Sequence, residues 1–250
     1  MWLQRSVTIL GALLLSCGAF AEEPDWGTYA EILRRYVNQG SKHGTKLALV
    51  DYGALKKSGA LENVYRQLSA FPVQRLANRE EKLAFYINAY NVLALKTVLD
   101  HWPVESIKDT GNLIRPVWDK PAGDIGGKTV TLGHIEHRIL RPLDEPRIHL
   151  AIVCASVSCP DLRNEPYTAV RLDVQLDDQA RRFLGNRSKG VMTGQERIRI
   201  SRIFDWFGED FQGIGGVDAF LRRYRSDLPA WPVEADLPYD WAVNGVVPEK

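Results

Sequence analysis

The sequence predicts an α+β fold: a single, mostly helical domain with a central buried helix and a small, largely antiparallel sheet. Three observations predict it. Residues 83–99 are apolar almost all round, as in a helix with no wet face. Short extended runs at 46–52, 128–132 and 191–200 lie between amphipathic helical stretches. No internal repeat or low-complexity linker divides the chain.

The elements follow in order. Trp26, Tyr29, Ile32, Leu33, Tyr36 and Val37 recur at helical spacing, with Arg34, Arg35, Asn38 and Gln39 on the other side and Gly40 as a stop. Residues 46–52 read as extended, and 54–70 as a second helix ending before Pro72. The third and strongest helix runs over 78–101 and is stopped by Pro103. Residues 103–128, rich in Pro, Gly and Asp, form a long surface connection of the kind that often carries function. A short strand at 128–132 leads to a short helix at 134–140, ended by Pro142.

The continuous apolar run 147–153 predicts a buried strand. An amphipathic helix is expected over 172–184, and a hairpin around Gly194 from Val191-Met192 and Arg197-Ile198-Arg199-Ile200. Two more helices cover 203–211 and 217–224. From Leu228 the chain carries Pro229, Pro232, Pro238 and Pro248 with Trp231, Tyr239 and Trp241, a tail expected to wrap the core without regular structure. The globular unit is thus expected over 22–227 and the packed tail over 228–250.

Composition narrows the function classes. The 250 residues, 45% apolar and 25% charged, suffice for one sizeable core or at most two small domains. Bulk disorder, collagen-like repeats and a disulfide-dense miniprotein are excluded. Lys plus Arg number 32 against 31 for Asp plus Glu, with no basic stripe, which argues against nucleic acid as a partner. Three cysteines are too few for a zinc site of four thiolates.

Residues 1–21 read as a signal peptide. Arg5 precedes the apolar run Val7 to Leu15, too short for the roughly 20 residues of a membrane span. Ala19-Phe20-Ala21 is a small-x-small cleavage site before Glu22, whereas Leu14-Leu15-Ser16-Cys17 is a lipobox in which Cys17 would carry lipid. The expected location is therefore the periplasm, free or as a lipoprotein tethered through Cys17. No transmembrane segment is expected in the mature chain.

Several runs coincide with a known family pattern. They are Lys82-Leu83-Ala84-Phe85-Tyr86-Ile87-Asn88-Ala89-Tyr90-Asn91, Ile135-Glu136-His137, Arg147 to Ser156, Ser158-Cys159-Pro160-Asp161-Leu162 and Ile203-Phe204-Asp205-Trp206-Phe207. Together they resemble the domain of unknown function 547 family, over 78–184 and more loosely to Tyr224. The resemblance implies a domain identity without a settled activity. It carries over onto Asn88, Asn91, Glu136, His137, His149, Cys154 and Cys159, while His134 falls where the pattern fixes no histidine.

The residues themselves offer two kinds of chemistry. In an oxidising compartment Cys154 and Cys159 tend to pair. They can do so only if 155–158 turns back sharply, for a staple of about 2 kcal/mol. Alternatively Cys154, at the end of a buried run, is a nucleophile that needs a nearby imidazole. His137 is then the expected base, because His149, five residues before Cys154 on a strand, would face the opposite side. Asn88 or Glu136 would orient the imidazole; Asn91, one turn from Asn88, reads as a cap on a neighbouring strand end or loop.

His134, His137, Cys154 and Cys159 could in principle hold a metal, but their spacing matches no standard signature. Asp205 and Glu209, opposite the apolar Phe204, Phe207 and Phe211, read as the wet face of a helix. No nucleotide-binding, nucleophile-elbow or metalloprotease signature occurs, so no cofactor is implied. Two hypotheses stand: a thiol-dependent hydrolase or acyl transferase using Cys154 and His137, or a non-catalytic binding or scaffold module with a Cys154–Cys159 disulfide. The partner is a small molecule, peptide or protein that the sequence does not name.

Overall fold

A computed structural model of the chain describes residues 24–112 and 115–248. The signal-peptide and lipobox readings, Cys17 included, fall outside them. The fold is α+β, with helices dominating and the strands in small sheets. No helix among the described residues is long and apolar enough to cross a membrane.

Helix α1, Gly27–Tyr36, gives way directly to β1, Val37–Lys42, which pairs antiparallel with β2, Thr45–Val50. Val37 to Gly40 therefore belong to a strand, not to the end of the first helix. The turn His43-Gly44 has positive φ at both residues, the two-residue geometry whose twist suits a hairpin. The stretch expected as one helix is two, α2 (Tyr52–Ser58) and α3 (Ala60–Ala70), broken where Gly59 turns left-handed at φ 63°.

Helix α4, Arg79–His101, is the centre of the molecule. The Asn78 side chain caps it by accepting from Glu81 N at 2.9 Å, and Glu81 in turn accepts from Ala77 N at 2.7 Å. Leu83, Phe85, Ile87, Val92 and Val98 are all buried, so its near-continuous apolarity is matched by packing on all sides. Strands β3 (Pro121–Ile125) and β4 (Lys128–Thr131) form a second hairpin, which leads into α5 (Leu132–His134) and a wider π-helical turn over Ile135–Leu140.

The expected strand over 147–153 is absent. Pro146–Leu150 forms a 3₁₀ turn, entered at Pro146 and capped by the Glu145 carboxylate, which accepts from Arg147 N. Ile148 N bonds Glu145 O at 3.0 Å and Ala151 N bonds Ile148 O at 2.9 Å, so these donors are used locally rather than in a ladder. The run is apolar because it is buried, not because it is extended.

Helix α6, Leu172–Gly185, and the hairpin β5 (Val191–Gly194) and β6 (Arg197–Ile200) follow as expected. The hairpin turns at Gln195-Glu196, both at positive φ. Helix α7 is only Ile203–Trp206; a 3₁₀ stretch over Gly208–Ile214 then precedes α8, Gly216–Tyr224. The tail is more regular than expected: β7, Val233–Glu234, pairs parallel to β6.

Two hydrophobic cores result. One surrounds α4; the other joins Phe183, Leu184, Ile198, Phe204, Phe211 and Phe220 from α6 to α8. A cavity lined by residues of both lies at the seam between them.

Candidate functional site

The cavity is of about 240 Å³ and is walled by Tyr90, Trp118, Trp206, Phe207, Tyr239 and Trp241, with Cys154, Cys159, Glu136, His137 and His149 among its other lining residues. Each polar side chain arrives there for a local reason. Asn91 on α4 clasps the chain ahead of Cys154: its amide donates to Ala151 O at 3.1 Å, and its oxygen accepts from Val153 N at 2.8 Å. This is the loop-capping use that its helical neighbours suggested.

Beyond Val153 the chain does turn back sharply. Ala155 adopts φ 56°, and the tail grips the loop: Val157 N bonds Ala242 O at 2.8 Å and Asn244 N bonds Ala155 O at 3.0 Å. Buried Lys189 holds the far side, donating to Cys159 O at 2.8 Å and to Asp161 Oδ1 at 2.7 Å. The two sulfurs are thereby brought to 2.7 Å as free thiols.

Cys154 Sγ is surrounded by donors. Besides Cys159 Sγ it meets Ser156 Oγ at 3.2 Å and Tyr239 Oη at 3.4 Å. Burial pushes the Cys154 thiol up, but the hydrogen bonds from Cys159, Ser156 and Tyr239 to its sulfur outweigh this and bring it down to about 7. Burial and the neighbouring Cys154 push Cys159 up, so Cys159 keeps its proton and donates it. Tyr239 is likewise held protonated by burial and by the adjacent sulfurs.

The imidazoles form a second group. His149 is buried and stacked on Phe207, with ring centroids 4.0 Å apart and 15° between planes. Its Nε2 lies 2.7 Å from Asp210 Oδ2. Burial pushes Asp210 up, yet hydrogen bonds from Arg141 and His149 overcome this and hold its carboxyl below the usual range. A carboxylate only accepts, so the neutral His149 ring carries its proton on Nε2 and leaves the Nδ1 lone pair without a partner.

Arg141 binds both Asp210 oxygens at 2.7 Å, and its third nitrogen lies 3.2 Å from His137 Nδ1. A guanidinium only donates, so neutral His137, at the cavity mouth, carries its proton on Nε2. One arginine–aspartate pair thus sets the same Nε2–H tautomer on both rings, Asp210 accepting from His149 and Arg141 donating to His137.

Glu136 sits on the inner side of the π-helical turn, while the next residue, His137, faces outward. Such widened turns recur at functional sites because they re-aim adjacent side chains. Asn88 does not join this group. Its amide and oxygen bind Tyr167 O at 2.8 Å and Tyr167 N at 2.9 Å, fixing the chain before α6. His134 is exposed, and among the described residues no group of three or more His, Cys, Asp or Glu side chains is arranged to hold a metal ion.

Cys154, Cys159, Glu136, His137 and His149, each singled out in the sequence, line one cavity; Asp210, Ser156 and Tyr239, which contact them, were missed. His149 was set on the opposite face by a strand that does not form. Asp210 follows Glu209, which with Asp205 read as the wet face of a continuous helix, and was not itself singled out; the break of that helix at Phe207 turns Asp210 inward.

No curated protein and no solved structure matches the chain. The family model described as "Protein of unknown function, DUF547" matches residues 73–184, the stretch that supplies Tyr90, Trp118, Glu136, both imidazoles and both thiols of the cavity.

Proposed function

We propose that the protein is a thiol-dependent hydrolase or acyl transferase in which Cys154 is the nucleophile. The observation that carries this reading is the Cys154 sulfur, lowered to about 7 by three donors and opening onto an aromatic-walled cavity that it shares with an Asp210-bound imidazole. The Cys154 thiol passes its proton to the imidazole, and the resulting thiolate attacks an amide or ester carbonyl, forming a C–S bond as the carbonyl π pair moves onto oxygen. The tetrahedral oxyanion collapses as an imidazolium gives its proton to the departing amine or alcohol. Water or an acceptor then attacks the thioester, returning a proton to the imidazole and freeing the thiolate.

His149 is the better proton carrier, because Asp210 holds one nitrogen and leaves the other as an acceptor. His137, with Nε2–H turned away from Arg141, is suited to donate to the oxyanion. A second reading, a binding module closed by a Cys154–Cys159 disulfide, draws on the 2.7 Å approach of the sulfurs.

The reading is tested on reduced protein by the rate of iodoacetamide alkylation at Cys154, followed by mass spectrometry. Cys154 should react at pH 7 roughly three-fold faster than a free thiol of ordinary pKa, its larger thiolate fraction outweighing the lower nucleophilicity of a thiolate of lower pKa, with an alkylation midpoint near pH 7. A 4-nitrophenyl ester should leave an acyl group on Cys154 that decays about ten-fold more slowly in His149→Ala and Asp210→Asn. An unreactive Cys154, or acylation elsewhere, would overturn it.

We further propose export, with peptide-like or cell-wall material as the substrate class of that compartment. The mass of the protein recovered from a bacterial envelope should correspond to a chain beginning at Glu22 or at a lipid-bearing Cys17; retention of the first 21 residues would exclude both.

A further inference from the structure

Two acceptors of the cavity face each other with no donor between them. Glu136 is 6% exposed, and neither of its oxygens has a hydrogen bond among the described residues. Its nearest ionic neighbour is His149 Nδ1, 3.7 Å from Oε1 and beyond hydrogen-bond length. That Nδ1 is itself buried and without a partner. Buried polar atoms are nearly always satisfied, and an uncompensated buried carboxylate is costlier still.

The nearby cation, Arg141, feels the Glu136 charge through space but gives it no hydrogen bond. Arg141 is committed to both oxygens of Asp210 and to His137. Among the described residues Glu136 is moreover the one carboxylate lining the cavity, and no lysine or arginine lines it. The remaining wall offers aromatic faces, among them Tyr90, Trp118, Trp206 and Trp241, which favour a cation over an anion. Trp241 already takes one, with Lys108 Nζ 4.7 Å from its ring centroid.

We infer that Glu136 and His149 together seat a primary ammonium group of the substrate. A single nitrogen with several N–H bonds can reach two acceptors 3.7 Å apart, a carboxylate oxygen and an imidazole nitrogen. The catalytic part of this inference rests on the acyl-transfer reading above. In that reading the seated nitrogen is the accepting or the leaving amine. As acceptor it passes one proton to His149 Nδ1, then its lone pair forms the C–N bond while the C–S bond breaks and the second N–H proton goes to the departing Cys154 sulfur, leaving a thiol. In the reverse direction the C–S bond forms, the C–N bond breaks, and the departing nitrogen takes one proton from the Cys154 thiol and one from His149 to leave as ammonium. The substrate class narrows to amides of primary amines, or acyl groups transferred to them.

The seat is tested without the thiol. Full-length Cys154→Ser protein is titrated with n-butylammonium, butyrate and n-butanol, and tryptophan fluorescence is followed. Butylammonium should bind at least about ten-fold more tightly than butyrate or butanol, and Glu136→Gln should remove most of that preference. Equal binding of the three, or an ammonium preference unchanged in Glu136→Gln, would overturn the inference. Should Glu136→Gln fail to fold, the comparison of the three ligands on the protein that keeps Glu136 still decides. An unreactive Cys154 in the alkylation assay would instead sink the acyl-transfer reading and leave this titration intact.

Discussion

Asn91→Ala should lower stability by roughly 2–5 kcal/mol and loosen the site at the same time. Asn91 is nearly fully buried in α4, and its amide makes two hydrogen bonds to backbone groups, Ala151 O and Val153 N. Neither backbone group makes another hydrogen bond among the described residues, so truncation strands both in the interior, at about 1–3 kcal/mol each. Asn91 is also the clasp that fixes the residue before Cys154. With it gone, the alignment of Cys159, Ser156 and Tyr239 on the Cys154 sulfur should degrade, and the pH midpoint of Cys154 alkylation should rise. Asn88→Ala separates the two effects. Asn88 makes an equivalent pair of bonds to Tyr167, away from the cavity. It should cost a similar amount in a urea melt yet leave Cys154 alkylation of the folded protein unchanged. If both variants shift the alkylation midpoint alike, the clasp has no special role at the thiol.

The contrast between these two asparagines also marks what the sequence could convey. Both stood out as amides within an apolar helix, and the need for buried amides to find partners was legible. Which backbone each would meet was not, because Tyr167 and Val153 lie 79 and 62 residues away in sequence. The central helix was legible for the opposite reason: its signal is local, from the Asn78 cap to the Pro103 stop. The run 147–153 misled because an apolar stretch reports burial, and a buried 3₁₀ turn buries its residues as completely as a strand does. That error propagated, since the face argument against His149 depended on it. Asp210 and Tyr239 escaped because their partners are set by the seam between two cores, to which no local pattern points.

The second large effect concerns Cys159. In Cys159→Ala the alkylation profile of Cys154 should cross that of the unaltered protein rather than fall below it everywhere. Beyond burial, the hydrogen bond from Cys159 is the foremost influence on the Cys154 thiol, and it lowers it. Without that donor the Cys154 midpoint should rise from about 7 to at least the ordinary thiol value of about 8.5. At pH 7 the thiolate fraction then drops from about one half to roughly 3%. A thiolate of higher pKa is intrinsically more nucleophilic, however, and a rise of about 1.5 units increases its rate constant some four- to six-fold. The net rate should fall roughly three-fold at pH 7 and exceed that of the unaltered protein by a similar factor at pH 9. A mere loss of access or of local folding would slow alkylation at both pH values, so the crossing is specific to a lost donor. Fully reduced protein is required, because a Cys154–Cys159 disulfide would block alkylation outright. If the reduced pair gives an unshifted midpoint in Cys159→Ala, then Ser156 and Tyr239 alone set the thiol, and Cys159 matters only as a disulfide partner.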